Sequence, residues 1–218
     1  MKVRFRMSYL CVGPRNAGKT MLLNSIQYPG SVNFTTHSVN TVGTNIYTIH
    51  YDGDGKPQRK KKPKKSITIR ELGGEMAVMW KNYYTESVEK IMFVVDTSNL
   101  CQISCAGVLL YSILAEPKLQ KDVFGVVCVI KTPTKLFQLI SLLGVSLYSI
   151  LAEPKLQKVK VCLILTKMDY AYRQMRNEAL LMLQIEKLKT QVPQKISIIE
   201  ASAITREGLD QIVEWLFN

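Results

Sequence analysis

The chain has 218 residues, which fits one folded domain, and its 47% hydrophobic residues supply a packed core and exclude wholesale disorder. The formal net charge of +12 is of the size seen in proteins that bind nucleic acids or membranes. Seven of the positive charges, however, lie in residues 56–65, so the excess belongs mostly to one loop. No aromatic residue interleaves with those lysines, which argues against a nucleic-acid partner.

The five cysteines lie mostly in apolar surroundings and form no CxxC pair. This pattern predicts reduced, mostly buried thiols in a cytoplasmic protein. We expect no secretory leader, no N-myristoyl group and no prenyl group, since the termini carry none of the required patterns. The longest uncharged stretch, residues 136–152, is shorter than the roughly 20 apolar residues of a membrane-spanning helix.

Short apolar or alternating runs predict strands, and runs with a helical apolar face predict helices. The strands fall at residues 8–12, 45–51, 66–72, 91–96, 159–165 and 196–201, and the helices at 19–27, 75–88 and from about 207 to the end. The strands at 45–51 and 66–72 form a hairpin with the basic run at its tip. Strands alternating with helices indicate an α/β fold with a mostly parallel central sheet flanked by helices.

One segment occurs twice. Residues 107–121 and 144–158 differ only at Leu109 and Ser146. Two copies are too few for a repeat array, so we predict a single domain over residues 1–218 with a duplicated-segment insertion around 122–158. Either copy could form the helix that precedes the strand at 159–165, while the strand-like run at 124–130 has no evident place in the sheet.

Residues 13–20 read GPRNAGKT and match the P-loop pattern G-x-x-x-x-G-K-[ST] between a strand and a helix. Its backbone N–H groups are expected to cradle phosphates, which makes Gly13, Asn16, Ala17 and Gly18 binding residues. Lys19 is expected to bridge the β- and γ-phosphates, and Thr20 to hold Mg²⁺. The motif therefore predicts a P-loop NTPase fold that binds a nucleoside triphosphate with Mg²⁺.

Residues 166–169, TKMD, follow an apolar strand and narrow the choice of base. The Asp169 carboxylate can accept hydrogen bonds from N1–H and the exocyclic amine of guanine, a donor pair that adenine lacks. The stem of Lys167 can lie along the base, and Thr166 opens the motif. The backbone at Ser202 and Ala203 can complete the pocket. A P-loop kinase or ATPase remains an alternative that this motif disfavours.

Five segments resemble the nucleotide-binding boxes of small GTPases and occur in the same order. They are GPRNAGKT, TVGTN (41–45), ELGGE (71–75), TKMD and ASA (201–203). WKNYY (80–84) and IMFVVDTSN (91–99) resemble the Arf-like family. The resemblance implies a monomeric GTP-binding switch that recruits effectors in the GTP form and answers to an exchange factor and an activating protein. The alternative is a nucleotide-independent interaction module that keeps the fold.

The resemblance also implies residue roles. Thr41 would meet Mg²⁺ and the γ-phosphate, Glu71 stands where the family has an aspartate that reaches Mg²⁺ through water, and Gly74 would donate its amide to the γ-phosphate. Glu75 replaces the glutamine that orients the attacking water, and a carboxylate cannot donate as an amide does, so we expect slow hydrolysis. Arg15 either neutralises phosphate charge or points to solvent.

The family normally carries an acylated amphipathic N-terminal helix, and only about seven residues precede the first predicted strand here. A weak contact of residues 56–65 with an anionic membrane could replace that anchor, and a nuclear-import-like patch is the other reading. A plain solvated loop tip is the simplest interpretation.

Overall fold

The computed structural model describes residues 9–37, 39–51, 65–85, 87–116, 159–171, 173–192 and 194–218. Within them, six strands form one sheet in the order β2-β3-β1-β4-β5-β6. The strands are β1 (Tyr9–Val12), β2 (Thr44–Tyr51), β3 (Lys65–Leu72), β4 (Lys90–Asp96), β5 (Lys160–Thr166) and β6 (Ile196–Glu200). The helices are α1 (Lys19–Gln27), α2 (Leu100–Leu114), α3 (Arg173–Met182), α4 (Ile185–Gln191) and α5 (Leu209–Phe217), with a 3-10 helix over Gly74–Tyr83.

Only β2 and β3 pair antiparallel, from Thr44 opposite Leu72 to Tyr51 opposite Lys65. Every other pairing in the sheet is parallel. The predicted hairpin and the mostly parallel sheet are therefore confirmed. The basic tip of the hairpin, apart from Lys65, lies outside the described residues.

The core lies on both faces of the sheet, as the unbroken apolar run of β4 requires. Ile91, Phe93 and Val95 belong to one apolar cluster, and the alternating Met92 and Val94 belong to the other. The first cluster is covered by the 3-10 helix, α2, α3 and α4, and the second by α1 and α5. Helices thus flank both faces of the sheet, as predicted.

The first copy of the duplicated segment begins within α2, whose described part ends at Leu114. Gly107 lies against Leu183, so this copy packs in the fold. The second copy, the strand-like run at 124–130 and the proposed insertion around 122–158 lie outside the described residues. The single-domain prediction for residues 1–218, with this insertion, stays a prediction.

Three local expectations differ from the structure. The segment predicted as a helix at 75–88 is a shorter 3-10 helix with a kink at Met76. The helices α3 and α4 were not anticipated, because Gln184 in a left-handed conformation (φ 50°) interrupts the helical pattern between them. Cys11 and Cys162 are buried as expected, but Cys101 and Cys105 are exposed on α2.

The amino end of β4 holds the carboxyl end of α5. The Lys90 ammonium donates to the carbonyls of Trp215 and Leu216 at 2.9 and 2.8 Å. It also lies over the Tyr9 and Trp215 rings. A cation at the negative end of the helix dipole stabilises α5 and satisfies carbonyls that have no partner inside the helix. In the described parts of the chain, no helix is long and apolar enough to cross a bilayer.

Candidate nucleotide-binding site

The parallel strands β1, β4 and β5 end at the same edge of the sheet, where ligands bind in open α/β folds. The loops that follow them carry the P-loop, residues 97–99 and the residues from Lys167 onward. The sheet thereby brings together the P-loop and the predicted guanine motif, which are far apart in the sequence.

The P-loop is a tight turn that ends at the amino terminus of α1. Gly18, the N-cap residue, has φ 85°, a conformation that favours glycine. The Lys19 side chain folds back over the loop, and its ammonium donates to the carbonyls of Gly13 and Pro14 at 2.9 and 2.8 Å. Burial lowers the pKa of Lys19 below its ordinary value, since a charged amine is poorly solvated there. A phosphate bound in this turn would supply a negative charge that compensates the ammonium for the hydration that burial removes.

Three predicted metal-site residues meet beside the P-loop. The Thr20 hydroxyl donates to Glu71 Oε1 at 2.6 Å and lies 3.0 Å from the Thr41 hydroxyl. Thr41 donates to the same carboxylate oxygen at 3.3 Å. These are oxygen ligands of the kind Mg²⁺ prefers, and Mg²⁺ usually takes only a few protein ligands besides water and phosphate. The residues present therefore fit the cation.

Among the described residues, no group of three or more histidine, cysteine, aspartate and glutamate side chains could hold a metal ion. A cation at this site would depend on the two threonine hydroxyls and one carboxylate, together with nucleotide phosphates. The site therefore fits a metal that arrives with a nucleotide better than one held by the protein alone.

Two residues of β2 hold the Glu71 carboxylate from its other oxygen, and the sequence did not predict this contact. Tyr47 Oη and Asn45 Nδ2 each donate to Glu71 Oε2 at 3.2 Å, and Glu71 is fully buried. Burial, together with the charge of Glu71, raises the pKa of the Tyr47 phenol well above its ordinary value. The alternation of β2 could indicate that Tyr47 faces inward, but its partner depends on the register between β2 and β3.

The segment after β3 lies directly on the P-loop. A Cβ atom added to Gly74 would come within 2.3 Å of the Arg15 amide nitrogen, so only glycine permits this approach. Glu75 Oε1 lies 2.9 Å from Arg15 Nη1. Both side chains, with Lys19 and Thr41, line the cavity beside the P-loop, the predicted phosphate cavity. The Arg15 side chain, which the sequence left either at a phosphate or in solvent, therefore forms an ion pair with Glu75.

A second cavity of about 310 Å³ lies where the sequence predicts the guanine pocket, and it shares Gly18 with the cavity beside the P-loop. Lys167, Asp169 and Ala203, three of the residues predicted for that pocket, line this cavity. Ser202 donates its hydroxyl to Asp169 Oδ1 at 2.6 Å and accepts from the amides of Ile204 and Thr205. Ser202 thus orients the carboxylate through its side chain rather than its backbone amide.

Two other motif residues have structural partners as well. Thr166 is buried, and its hydroxyl lies 2.7 Å from the carbonyl of Ala17 and 3.0 Å from that of Val95, so it ties β5 to the P-loop. Lys167 donates to Asp96 Oδ2 at 2.6 Å. The other oxygen of Asp96 accepts from the amide and the hydroxyl of Ser98, and no sequence motif predicted a role for this residue.

Two hydrogen bonds, here called the brace, connect α1 to the loop after β6, and no sequence pattern predicted them. Arg206 donates to the carbonyl of Ser25 at 2.7 Å, and the Ser25 hydroxyl donates to the carbonyl of Ala203 at 2.9 Å. The residues lie roughly 180 positions apart in the chain, so no local pattern could reveal the contact. The brace fixes the guanine-side loop against the helix that starts at the P-loop.

Comparison with known proteins agrees with this geometry. The profile of the ADP-ribosylation factor family matches residues 1–136 and 125–218. Human ADP-ribosylation factor-like protein 16 is 34% identical over 116 residues, which are 50% of this chain and 52% of that protein. ADP-ribosylation factor-like protein 3 of Caenorhabditis elegans is 28% identical over 114 residues, 51% of this chain and 54% of that protein. The chain spans about half the length of these curated relatives.

Solved structures share the fold over almost the whole chain. The small GTPase Arl6 (BBS3) of Trypanosoma brucei, solved with the nucleotide analogue GppNp, has a TM-score of 0.62 at 18% identity and covers 96% of this chain and 94% of its own. The mammalian SRP receptor has a TM-score of 0.61 at 14% identity, with 95% and 97% covered. The fold is that of the P-loop NTPases, and with both segments matched by the family profile, the chain belongs to the ADP-ribosylation factor family of small GTPases.

Proposed function

We propose that the protein is a guanine-nucleotide-binding switch, and the orientation of Asp169 is the observation that carries this proposal. Its Oδ1 is held by the Ser202 hydroxyl at 2.6 Å, and the carboxylate lines a cavity that adjoins the P-loop at Gly18. A carboxylate fixed in this way can accept from guanine N1–H and the exocyclic amine. An adenine base would leave it unpaired, at a cost in binding free energy.

We propose that Mg²⁺ binds with the nucleotide, held by the hydroxyls of Thr20 and Thr41 and approached by Glu71. When bound, the cation supplies positive charge that offsets the charge of the phosphates. The backbone of the P-loop and the Lys19 ammonium would hold the phosphates, and the Gly74 amide, which lines the same cavity, would donate to the terminal one. Glu71 orients the threonine hydroxyls through the hydrogen bonds that it accepts from them.

Hydrolysis is proposed to be slow because Glu75 is a poor substitute for an amide. Its carboxylate cannot donate a hydrogen bond to the attacking water. The negative charge of the Glu75 carboxylate beside the terminal phosphate also raises the energy of the arrangement in which water attacks that phosphate. Bound GTP is therefore expected to persist for long periods.

We propose that effectors and regulators bind around the phosphate site. Exposed apolar side chains flank it on both segments that would respond to the terminal phosphate: Phe34 (80% exposed), Val39 (88%), Val42 (89%) and Val78 (85%). Exposed apolar side chains near a ligand-responsive segment are typical of partner-binding surfaces. Monomeric state, cytoplasmic location and a weak membrane contact through residues 56–65 stay predictions.

The experiment that tests guanine recognition exchanges the carboxylate for an amide. Asp169→Asn keeps the N1–H acceptor but presents a donor, which matches the C2 carbonyl of xanthine and opposes the amine of guanine. We expect the affinity for GTP to fall by about a hundredfold or more and the affinity for xanthosine triphosphate to rise. Titration with fluorescent nucleotide analogues measures both.

The matched control is Asp210→Asn, the same chemical change at an exposed position in the first turn of α5. It should leave both affinities unchanged. The wild-type chain is also incubated with GTP and Mg²⁺ and its bound nucleotide is identified by chromatography over time. A chain that takes up no guanine nucleotide would refute the proposal and favour a nucleotide-independent module, whereas rapid conversion to GDP would refute only slow hydrolysis.

A further inference from the structure

The Arg15 side chain lies where the P-loop meets two other segments. Its Nη1 lies 2.9 Å from Glu75 Oε1, on the segment that follows β3. With the Asn40 amide oriented so that its oxygen faces Arg15, that oxygen accepts from Nη2 at 2.5 Å and Nε at 3.1 Å, while its nitrogen donates to Asn16 Oδ1. One guanidinium thus connects the P-loop to the segment before Thr41 and to the segment that carries Glu75.

These contacts add little to the stability of the fold. The Arg15 and Glu75 side chains are 57% and 51% exposed. Ion pairs this exposed are screened by water and contribute little to the free energy of unfolding. An ion pair that contributes so little is also exchanged easily when a stronger acceptor arrives nearby.

A terminal phosphate is such an acceptor. The same cavity is lined by Arg15, Glu75 and Lys19, so a third phosphate would enter it beside the Glu75 carboxylate. Repulsion from that carboxylate at about 4 Å would weaken binding by about fivefold or more. Guanidinium groups bind phosphate oxygens through two parallel hydrogen bonds, an arrangement that one oxygen of a carboxylate does not offer.

We propose that Arg15 is a specificity-determining residue that distinguishes GTP from GDP by exchanging Glu75 for the terminal phosphate. GDP has no group at this end of the cavity, so Arg15 keeps its Glu75 partner and Glu75 stays beside the P-loop. GTP takes the guanidinium and leaves the Glu75 carboxylate unpaired beside the terminal phosphate. The inference rests on the proposed guanine-nucleotide binding and adds to it the residue that senses the third phosphate.

The test compares the affinities for GDP and for a non-hydrolysable imido analogue of GTP. Arg15→Gln should lower the affinity for the analogue by about tenfold or more and change the affinity for GDP by less than about twofold. Glu75→Gln should raise the affinity for the analogue relative to GDP by about fivefold, because it removes the repulsion. Arg176→Gln is the matched control, since Arg176 forms an ion pair with Glu200, with side chains 35% and 40% exposed, away from the phosphate cavity.

The reversed pair, Arg15→Glu with Glu75→Arg, separates phosphate sensing from simple attachment of the two segments. If Arg15 only attaches Glu75 to the P-loop, the reversed pair restores the wild-type ratio of affinities and the inference is wrong. If Arg15 senses the phosphate, the ratio stays at or below that of Arg15→Gln. Equal losses for GDP and the analogue in Arg15→Gln would also overturn the inference while leaving guanine binding intact, whereas a wild-type chain that binds neither nucleotide would overturn both.

Discussion

Removing one hydroxyl from the Glu71 cluster tests how a buried carboxylate is stabilised here. Glu71 is fully buried and accepts hydrogen bonds from Thr20, Thr41, Asn45 and Tyr47. Tyr47→Phe removes the 3.2 Å bond to Oε2 and keeps the ring. A hydrogen bond to a charged group contributes about 1.5–3 kcal/mol, and the length of this one places it at the lower end.

We therefore expect Tyr47→Phe to lower the free energy of unfolding by about 1.5 kcal/mol at pH 7. Because the ring stays, no cavity term is added, and Asn45 still donates to the same oxygen. Equilibrium unfolding in urea, followed by circular dichroism, measures the loss. Tyr28→Phe is the control, since Tyr28 is 59% exposed, and its stability should equal that of the wild type.

The same variant has a defined pH signature. Burial raises the pKa of Tyr47 in the folded state, while the unfolded chain releases that proton near pH 10. The unfolded state then binds fewer protons than the folded state, so the contribution of Tyr47 to stability is complete below about pH 10 and is lost as the pH rises further. The difference between wild type and Tyr47→Phe should therefore narrow above about pH 10. A difference below about 0.5 kcal/mol at pH 7, or one that does not narrow, would refute the reasoning.

Two further predictions concern other buried groups. Lys90→Met should lower the free energy of unfolding by about 2 kcal/mol, measured in urea, because the carbonyls of Trp215 and Leu216 lose a charged donor. An unchanged midpoint would show that this contact contributes nothing. In a Cys128→Ser background, a disulfide thiol reagent should modify two thiols in the folded chain and four after unfolding. The two reactive thiols are those of Cys101 and Cys105. Cys11 and Cys162 should not react in the folded chain, because burial raises the pKa of Cys11 and raises that of Cys162 to about 12. Reaction of all four thiols in the folded chain would contradict this prediction.

The sequence located the strands of the sheet but did not predict their order, which the structure supplied. Apolar runs and alternation located all six strands to within one or two residues, because burial on one or both faces leaves a local pattern. The sequence did not predict α3 and α4. Gln184, in a left-handed conformation, separates them, so the apolar pattern of one long helix is divided into two short ones. The exposure of Cys101 and Cys105 was hidden because an apolar neighbourhood in the sequence does not say which side of a helix faces solvent.

For the site, the sequence alone predicted the residues that would approach a nucleotide. GPRNAGKT would act through its own backbone and the helix that follows it, and TKMD through a carboxylate at the end of a strand, so both predictions rest on local patterns. Only the tertiary structure decided which other residues form hydrogen bonds or ion pairs with the site residues. Tyr47 reaches Glu71 through the register of β2 on β3, Lys167 reaches Asp96 across β4 and β5, and Arg15 reaches Glu75 where the chain returns to the P-loop. Such contacts join residues distant in the chain, and their energies depend on distance, burial and orientation, which no local pattern encodes.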